Sequence, residues 1–336
     1  MSINYDREIY AFLKEMERQS DSLVSPEINL VTHKEDIFSS LKSGKKIRPY
    51  FMMLFAKLID INLNKIYPVA IGLEIYHNST LILDDIQDDS KLRRNKECLH
   101  ILRGTPLGIA TAALLRSNMY YPIQKTDFLN THEKYAMMEI LNDTAIELCI
   151  GQYVELSWIA DNRFDVNEND YFNMVEKKTG ALFAAAIKIP FILAGYSEDS
   201  FFIAEKLGKT IGSIFQIKDD LLSVTPNNDQ FDKDLYADIH ESKRTLLVIH
   251  TIQDDPIHAE ELIAILNKKS KSQEDYLRYL EILQANNSFD YVNDHIRKQT
   301  DIAKQLFDQL NDEKSNNQTV KETILQLILF LSTRSK

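Results

Sequence analysis

Two acidic clusters lie inside apolar segments of this chain. The first reads Leu81-Ile-Leu-Asp84-Asp85-Ile-Gln-Asp88-Asp89 and the second Ile214-Phe-Gln216-Ile-Lys-Asp219-Asp220-Leu-Leu. Carboxylates among core-forming residues are costly to bury unless something compensates their charge. Divalent cations would do so. Hard oxygen ligands suit magnesium, which keeps several waters and binds through one or two carboxylates together with substrate phosphates. The clusters therefore point to a magnesium-dependent diphosphate site carried on helices.

On a helix, Asp84 and Asp88 stand at i and i+4 and project from one face, with Asp85 beside them. A run of acids is usually a solvated surface, but Leu81, Ile82, Leu83 and Ile86 crowd this one. The same face continues back through Thr80 and Tyr76, roughly 6 Å and roughly 12 Å from Asp84 along the axis. A pocket beside this helix would have a charged head, room at Ser79 and Thr80, and a floor at Tyr76.

Two basic elements stand near. One is Gly44-Lys45-Lys46-Ile47-Arg48-Pro49; the other is Arg93-Arg94, expected about one and a half helical turns beyond Asp88. His77 and His100 are close in sequence. Arginine forks suit phosphate oxygens. Taken alone, either basic pair reads as solvated charge and His77 as a satisfied core histidine. Beside paired carboxylate clusters they read as diphosphate-binding groups.

The elements that must hold these residues are helices. Glycine (9) and proline (8) are scarce in 336 residues, so breaks are few and helical periodicity dominates. Helices are expected over 5–19, 34–60, 66–92, 106–122, 132–158, 168–194, 199–223, 243–253, 257–268, 272–285, 288–311 and 318–334. In one of them Met137, Leu141, Ala145 and Leu148 form an apolar stripe that turns polar at Gln152 and Glu155, as a helix lining a cavity would. The polar breaks between helices are too short and unbiased to be domain linkers, and no fixed repeat is found. One all-α domain spanning 1–336 is the expectation.

Composition narrows the rest. Lys+Arg 39 against Asp+Glu 50 gives a net charge of −11, which with no basic stripe argues against nucleic acid as a partner. A hydrophobic content of 44% supports a real core. Cys98 and Cys149 alone make no disulfide framework, and a reducing cytoplasm is the default. The N-terminus lacks a signal pattern. The longest apolar stretches, 181–194 and 324–331, fall short of a transmembrane segment.

The motifs, in order, resemble those of the trans-isoprenyl diphosphate synthases of the polyprenyl synthetase family, the geranylgeranyl diphosphate synthases among them. They are Gly44-Lys45-x-x-Arg48-Pro49, Glu74-x-x-His77, Asp84-Asp85-x-x-Asp88 with Arg93-Arg94 and His100, Gly151-Gln152, Lys178-Thr179, Phe215-Gln216-x-x-Asp219-Asp220, and Lys233-Asp234 leading to Asp238-Ile-x-Glu241-x-Lys243-x-Thr245. The resemblance covers roughly residues 40–250. A lone Asp-Asp-x-x-Asp is a weak signal; seven ordered elements are a specific one.

The resemblance implies one helical bundle around a central cavity, the isoprenoid synthase fold, and a homodimer. It implies Mg2+, three ions with substrate bound. Asp84, Asp85 and Asp88 would hold two, and Asp219 with Asp220 a third. It implies condensation of isopentenyl diphosphate with an allylic diphosphate by ionisation, attack on the allylic cation and proton loss. Lys45, Arg48, His77 and Arg94 would bind isopentenyl diphosphate. Arg93, Lys178 and Lys243 would bind the allylic diphosphate, with Lys233 helping to close the site, and oxygens at Lys178-Thr179 and Gln216 would face the cation.

The chain departs from the family pattern at several positions. Ser223 stands where the second acidic motif has its last carboxylate, Asn95 and Ser242 replace glycines, Lys46 replaces an arginine, and Ala112-Ala113 replaces a Gly-Asp pair. Arg334-Ser-Lys336 resembles a tail that covers the site in some members. Short-chain members place an aromatic residue four or five positions before the first motif, where this chain has Thr80 and Ser79. The product is thus expected to pass farnesyl length and to stop at geranylgeranyl diphosphate if Tyr76 is the floor, with a longer polyprenyl product as the alternative. A terpene cyclase or peptide prenyltransferase on the same fold, and a silent partner subunit, are rival readings. The retained Lys45, Arg48, His77 and Arg94 argue against the first two, and the retained acidic motifs against the third.

Overall fold

The computed structural model describes residues 44–94, 96–225, 236–310 and 317–335, with scattered positions between 11 and 28. Those residues are almost entirely helical; the strands among them are the two-residue pair Leu92–Arg93 and Lys96–Glu97. The chain forms two compact units. One comprises Met1–Ala145, Ala185–Phe201 and Glu313–Lys321; the other comprises Ile146–Ala184, Phe202–Asp312 and Glu322–Lys336.

In the first unit the helix Leu63–Gln87 packs against Ile47–Leu58 and Thr105–Asn118. It starts where the Asn62 side chain accepts from the Asn64 N–H at 3.0 Å, satisfying one of the free amide groups of the first turn. The helix stays apolar around most of its circumference because it is enclosed. Val69, Ala70, Leu73, Ile75 and Tyr76 are all buried.

The expected helix over 66–92 ends at Gln87 instead. Asp88 is its C-cap, and Asp89 adopts a left-handed backbone with φ 48°. Aspartate tolerates that region better than most residues, and Asp88-Asp89-Ser90 is therefore a turn rather than a further helical turn. The chain then forms an antiparallel hairpin that pairs Leu92 with Glu97 and Arg93 with Lys96. Arg93 and Arg94 are thus carried on a hairpin, Arg94 itself at φ 54°, and not on the helix.

The expected stretch 168–194 is three elements. Glu168–Val175 is an α-helix opened by a reciprocal capping box between Asn167 and Asp170. Glu176–Gly180 is a π turn, and Ala181–Leu193 resumes the α-helix. Such single π turns widen a helix locally and often mark functional positions; this one carries Lys178 and Thr179. Farther on, Ser288–Leu310 buries Val292, Ile296, Thr300, Ala303, Phe307 and Leu310, the three-and-four spacing of one apolar stripe. No helix among the described residues is long and apolar enough to cross a membrane.

Candidate active site

In the first unit, Gly44-Lys45-Lys46 leads into the N-terminus of Ile47–Leu58, which has no side-chain cap. The positive end of a helix dipole, with Lys45 and Arg48 beside it, favours an anion. Gly44 has φ +101°, and a Cβ there would lie 2.4–2.7 Å from the Arg94 guanidinium. Only a bare backbone lets the hairpin arginine come so close to this loop. Lys45 is exposed and Arg48 half-buried.

Behind these cations lies Glu74, buried at 5% exposure. Burial pushes its carboxyl above the ordinary value, against the pull of Lys46, Arg48 and Arg94. The anion helps keep that many positive charges together. Burial, with Arg48, Arg94 and Arg93 nearby, holds His77 well below the usual imidazole range, so it is neutral at working pH. Arg48 Nη1 lies 3.0 Å from His77 Nε2. A guanidinium only donates, so Nε2 accepts and the ring proton sits on Nδ1. Arg48, His77, Arg94 and Glu74 are thus brought together as the sequence suggested.

The first acidic motif ends the same helix. Asp84 and Asp88 are half-buried, and Asp85 is buried at 4% exposure. The Asp88 N–H donates to the Asp84 carbonyl at 2.9 Å, which keeps the i, i+4 relation although Asp88 is the cap. Asp85 Oδ1 accepts from Arg93 Nε at 2.6 Å. Burial pushes the Asp85 carboxyl up, while Arg93, Cys98 and His100 pull it down. His100 is buried, and neither ring nitrogen has a hydrogen-bond partner.

Ser79 and Thr80 turn their hydroxyls back to the carbonyls of Tyr76 (2.6 Å) and His77 (2.8 Å). Their outer surfaces are thereby less polar than the residue types imply. Tyr76 is 1% exposed; its hydroxyl donates to the Ala145 carbonyl at 3.2 Å, and the Arg116 guanidinium lies 6.0 Å from its ring centre.

In the second unit the Lys178 ammonium pairs with the Glu155 carboxylate. Burial alone would raise the Glu155 carboxyl, yet Lys178 and Lys243 hold it below the ordinary value. Thr179 Oγ1 donates to Gln216 Oε1 at 2.7 Å, Gln216 Nε2 donates to Asp220 Oδ1 at 2.8 Å, and the Tyr171 hydroxyl donates to Asp220 Oδ2 at 2.6 Å. Burial and the nearby Asp238 carboxylate push the Asp220 carboxyl up to about 7.

Ser223, where the motif lacks its last acid, places its hydroxyl 2.5 Å from Asp238 Oδ2. Lys243 Nζ sits 2.5 Å from Glu241 Oε2 and 3.3 Å from Asp238 Oδ1. Arg334 donates to Asp219 Oδ1 at 2.6 Å and to the Phe215 carbonyl at 3.0 Å, with its guanidinium 4.1 Å from the Phe215 ring centre. Lys233 lies outside the described residues. Glu155 was marked in the sequence only by the polar end of its stripe. No local pattern marks Tyr171, whose partner is 49 residues away.

Among the described residues no three His, Cys, Asp or Glu side chains form a ready cage for a metal ion. The donors present still fit magnesium. In the first unit Asp84 and Asp88, and in the second Asp219 with 41% of its side chain exposed, carry carboxylate oxygens of the kind this ion takes, and the ion completes its shell with water and phosphate rather than with an all-protein cage.

A family model described as polyprenyl synthetase matches residues 33–283. The chain is similar to a short chain isoprenyl diphosphate synthase of Methanocaldococcus jannaschii, 32% identical over 72% of this chain and 72% of that protein. It is similar to a geranylgeranyl diphosphate synthase of Methanosarcina mazei (30% identical; 84% of this chain, 86% of that one). A geranylfarnesyl diphosphate synthase of Natronomonas pharaonis is 31% identical over 70% of this chain and 76% of its own. Among solved structures, the geranylgeranyl pyrophosphate synthetase of the archaeon Geoglobus acetivorans superposes with a TM-score of 0.80 at 26% identity, covering 97% of this chain and 99% of that one.

Proposed function

The chain belongs to the polyprenyl synthetase family of prenyltransferases, and from that premise we propose that it elongates trans-prenyl chains, condensing isopentenyl diphosphate with an allylic diphosphate. The observation that carries this reading is the cation cluster of Arg48, Arg94 and Lys46 gathered around buried Glu74 and neutral His77. A cyclase or peptide prenyltransferase has no use for a second diphosphate seat, and this chain keeps one buried and charged at evident cost.

Lys45, Arg48, His77 and Arg94 bind the isopentenyl diphosphate head. Arg93, oriented by Asp85, binds the allylic diphosphate with its free fork, and Lys178, Lys243 and Lys233 serve the same group. Asp84, Asp85 and Asp88 would hold magnesium, as would Asp219 with help from Asp220, up to three ions in all. When bound, magnesium neutralises the departing diphosphate and so favours ionisation of the carbon–oxygen bond. Oxygens of Thr179 and Gln216 face the allylic cation. The nucleophile is the double bond of isopentenyl diphosphate, and transfer of a proton from the cationic adduct to the departed diphosphate leaves the new trans double bond. Residues 1–336 act as one functional domain in the cytoplasm.

The test is incubation of the purified chain with isopentenyl diphosphate, each allylic starter and magnesium, with products identified by mass. Condensation is expected from the chain alone. None, in protein shown to be folded, would bring the cyclase, peptide-transfer and partner-subunit readings forward.

The product proposed is geranylgeranyl diphosphate. Thr80 and Ser79 are too small to stop a chain, and Tyr76 is the next large residue on the face shared with Thr80. Relatives include both geranylgeranyl and geranylfarnesyl synthases. Tyr76→Ala is expected to lengthen the product, and an unchanged product distribution by mass would remove Tyr76 as the floor. A homodimer is also proposed. Ile146, Ile150 and Tyr153 are exposed at i, i+4 and i+7 on the helix Thr131–Ala160, a stripe suited to a second copy. Sedimentation at twice the 38.9 kDa chain mass is expected; a monomer at micromolar concentration would exclude it.

A further inference from the structure

We infer that Arg244 is a positioning residue that fixes the spacing between the ammonium groups of Lys178 and Lys243, by locking the end of one helix to the turn that carries Lys243. This rests on the proposed role of those two lysines as a seat for the allylic diphosphate, and deepens it.

Two helix ends of the second unit are built alike. The helix Thr131–Ala160 is closed by Asn162, whose backbone is left-handed with φ 51°. The Arg163 N–H donates to the Trp158 carbonyl at 2.8 Å and the Asn162 N–H to the Ile159 carbonyl at 3.1 Å. The short helix Ala237–His240 is closed in the same way by Ser242, with φ 59°. There the Lys243 N–H donates to the Asp238 carbonyl at 2.9 Å and the Ser242 N–H to the Ile239 carbonyl at 3.1 Å. These are the paired bonds by which a left-handed residue ends a helix.

Arg244 spans the two ends. Its Nε donates to the Arg163 carbonyl at 2.8 Å, its Nη2 reaches Asn162 Oδ1 at 3.4 Å, and its Nη1 donates to the Ser242 carbonyl. The guanidinium lies 3.9 Å from the centre of the Phe164 ring. The residue is 4% exposed, and these acceptors are all uncharged. Burial lowers its pKa to about 10, so it stays charged at neutral pH. A buried cation without a paired anion is costly. What it provides is a planar fork that serves both caps at once, which an ammonium group cannot do. The Ser242 turn is held from a second direction as well. Its hydroxyl donates to the Leu266 carbonyl at 2.6 Å and accepts from Lys271 Nζ at 3.0 Å.

Each end of the bridge carries one side of the lysine pair. Lys243 follows the locked turn directly, its ammonium 2.5 Å from Glu241 Oε2 and 3.3 Å from Asp238 Oδ1. Glu155, the partner of Lys178, lies on the helix whose end Arg244 grips, and both lysines act on its carboxylate. A slip of the turn against that helix would change the distance between the two ammonium groups. Two cations that share one diphosphate depend on that distance.

The experiment compares Arg244→Lys and Arg244→Met with the parent. Both should raise KM for the allylic diphosphate by about tenfold, the scale of one charged hydrogen bond set out of line, and leave KM for isopentenyl diphosphate within about twofold. Lysine keeps the charge and loses the fork, so a parent-like Arg244→Lys would overturn the inference. Equal rises in both constants would mark a general staple of the fold and overturn it too. If Arg244→Met does not fold, Phe164→Leu takes its place; it removes only the ring beside the guanidinium and should raise the allylic KM by about two- to threefold.

A second readout does not depend on the reaction. Trace reductive methylation, mapped by mass to each lysine, reports how freely each ammonium group moves. In Arg244→Lys, Lys243 should react several-fold faster than in the parent, while Lys178, held by Glu155, should not change. Unchanged reactivity at Lys243, or a rise shared by Lys178, would overturn the inference even where condensation is observed. A rise at Lys243 alone, with no condensation by the parent protein, would overturn the proposed reaction and leave the bridge standing.

Discussion

Asp84→Asn is expected to slow condensation by about 10³-fold at saturating substrate, the scale on which removal of a key electrostatic group acts. The change is nearly isosteric, so the fold is not its target. The helix Leu63–Gln87 is held by buried neighbours and by the backbone bond from Asp88 to the Asp84 carbonyl, none of which needs the carboxylate charge. What is lost is a hard anionic oxygen on a half-buried face beside Asp88. Raising magnesium should recover part of the rate, because the variant weakens affinity and not geometry. Steady-state rates across a magnesium titration, with thermal unfolding alongside, make the measurement. A loss under tenfold at every magnesium concentration would show that the first motif is not the principal metal seat. Asp85→Asn should differ. Asp85 is bound to Arg93 Nε, so its loss frees the arginine and should raise KM for the allylic diphosphate more than it alters magnesium dependence.

That contrast between adjacent acids was not legible in the sequence, whereas the helices largely were. The expected stretches 272–285, 288–311 and 318–334 match Gln273–Ala285, Ser288–Leu310 and Gln318–Thr333 within a residue, because each has an uninterrupted apolar stripe with polar breaks at its ends. The helix stops short of the expected 92 for a local reason. Asp88-Asp89-Ser90 combines residues that favour caps and turns, so the same acids that suit a metal also break the helix. The π turn at Glu176–Gly180 has no periodic signal, since one inserted residue alters the phase too little to see in five residues. In the first unit Arg48, His77 and Arg94 belong to spaced motifs, which is why their neighbourhood could be anticipated from sequence. In the second, the pairs Tyr171 with Asp220, Glu155 with Lys178 and Asp219 with Arg334 are fixed by tertiary packing, and sequence separation carries no information about them. Ser223 illustrates the difference. Its residue type reads as a lost ligand, while its hydroxyl engages the Asp238 carboxylate.

Gly151→Ala is expected to cost about 10²-fold in kcat, although no part of Gly151 can react, because small misplacement of catalytic groups costs rates of this order. A Cβ at position 151 would lie 2.3 Å from the Lys178 amide nitrogen, 2.8 Å from its Cα and 3.0 Å from the Lys177 carbonyl carbon. All three are backbone atoms, so no side chain can swing aside; the π turn or the helix Thr131–Ala160 must move. The turn holds Lys178 and Thr179, and Lys178 is tied to Glu155, one helical turn beyond Gly151 on the opposing helix. Moving the turn away therefore stretches a buried ion pair at the same time as it displaces the Thr179 hydroxyl from Gln216. Overpacking of this kind costs about 1–3 kcal/mol, so a fall in Tm of a few degrees should accompany the rate loss, at most about 2–4 °C for each kcal/mol. Circular dichroism at the assay temperature separates a folded, slow enzyme from an unfolded one. If the folded variant keeps its rate within about threefold, the two backbones can slide apart without disturbing Lys178 or Thr179, and the close approach at Gly151 is then a packing convenience with no part in setting the catalytic geometry.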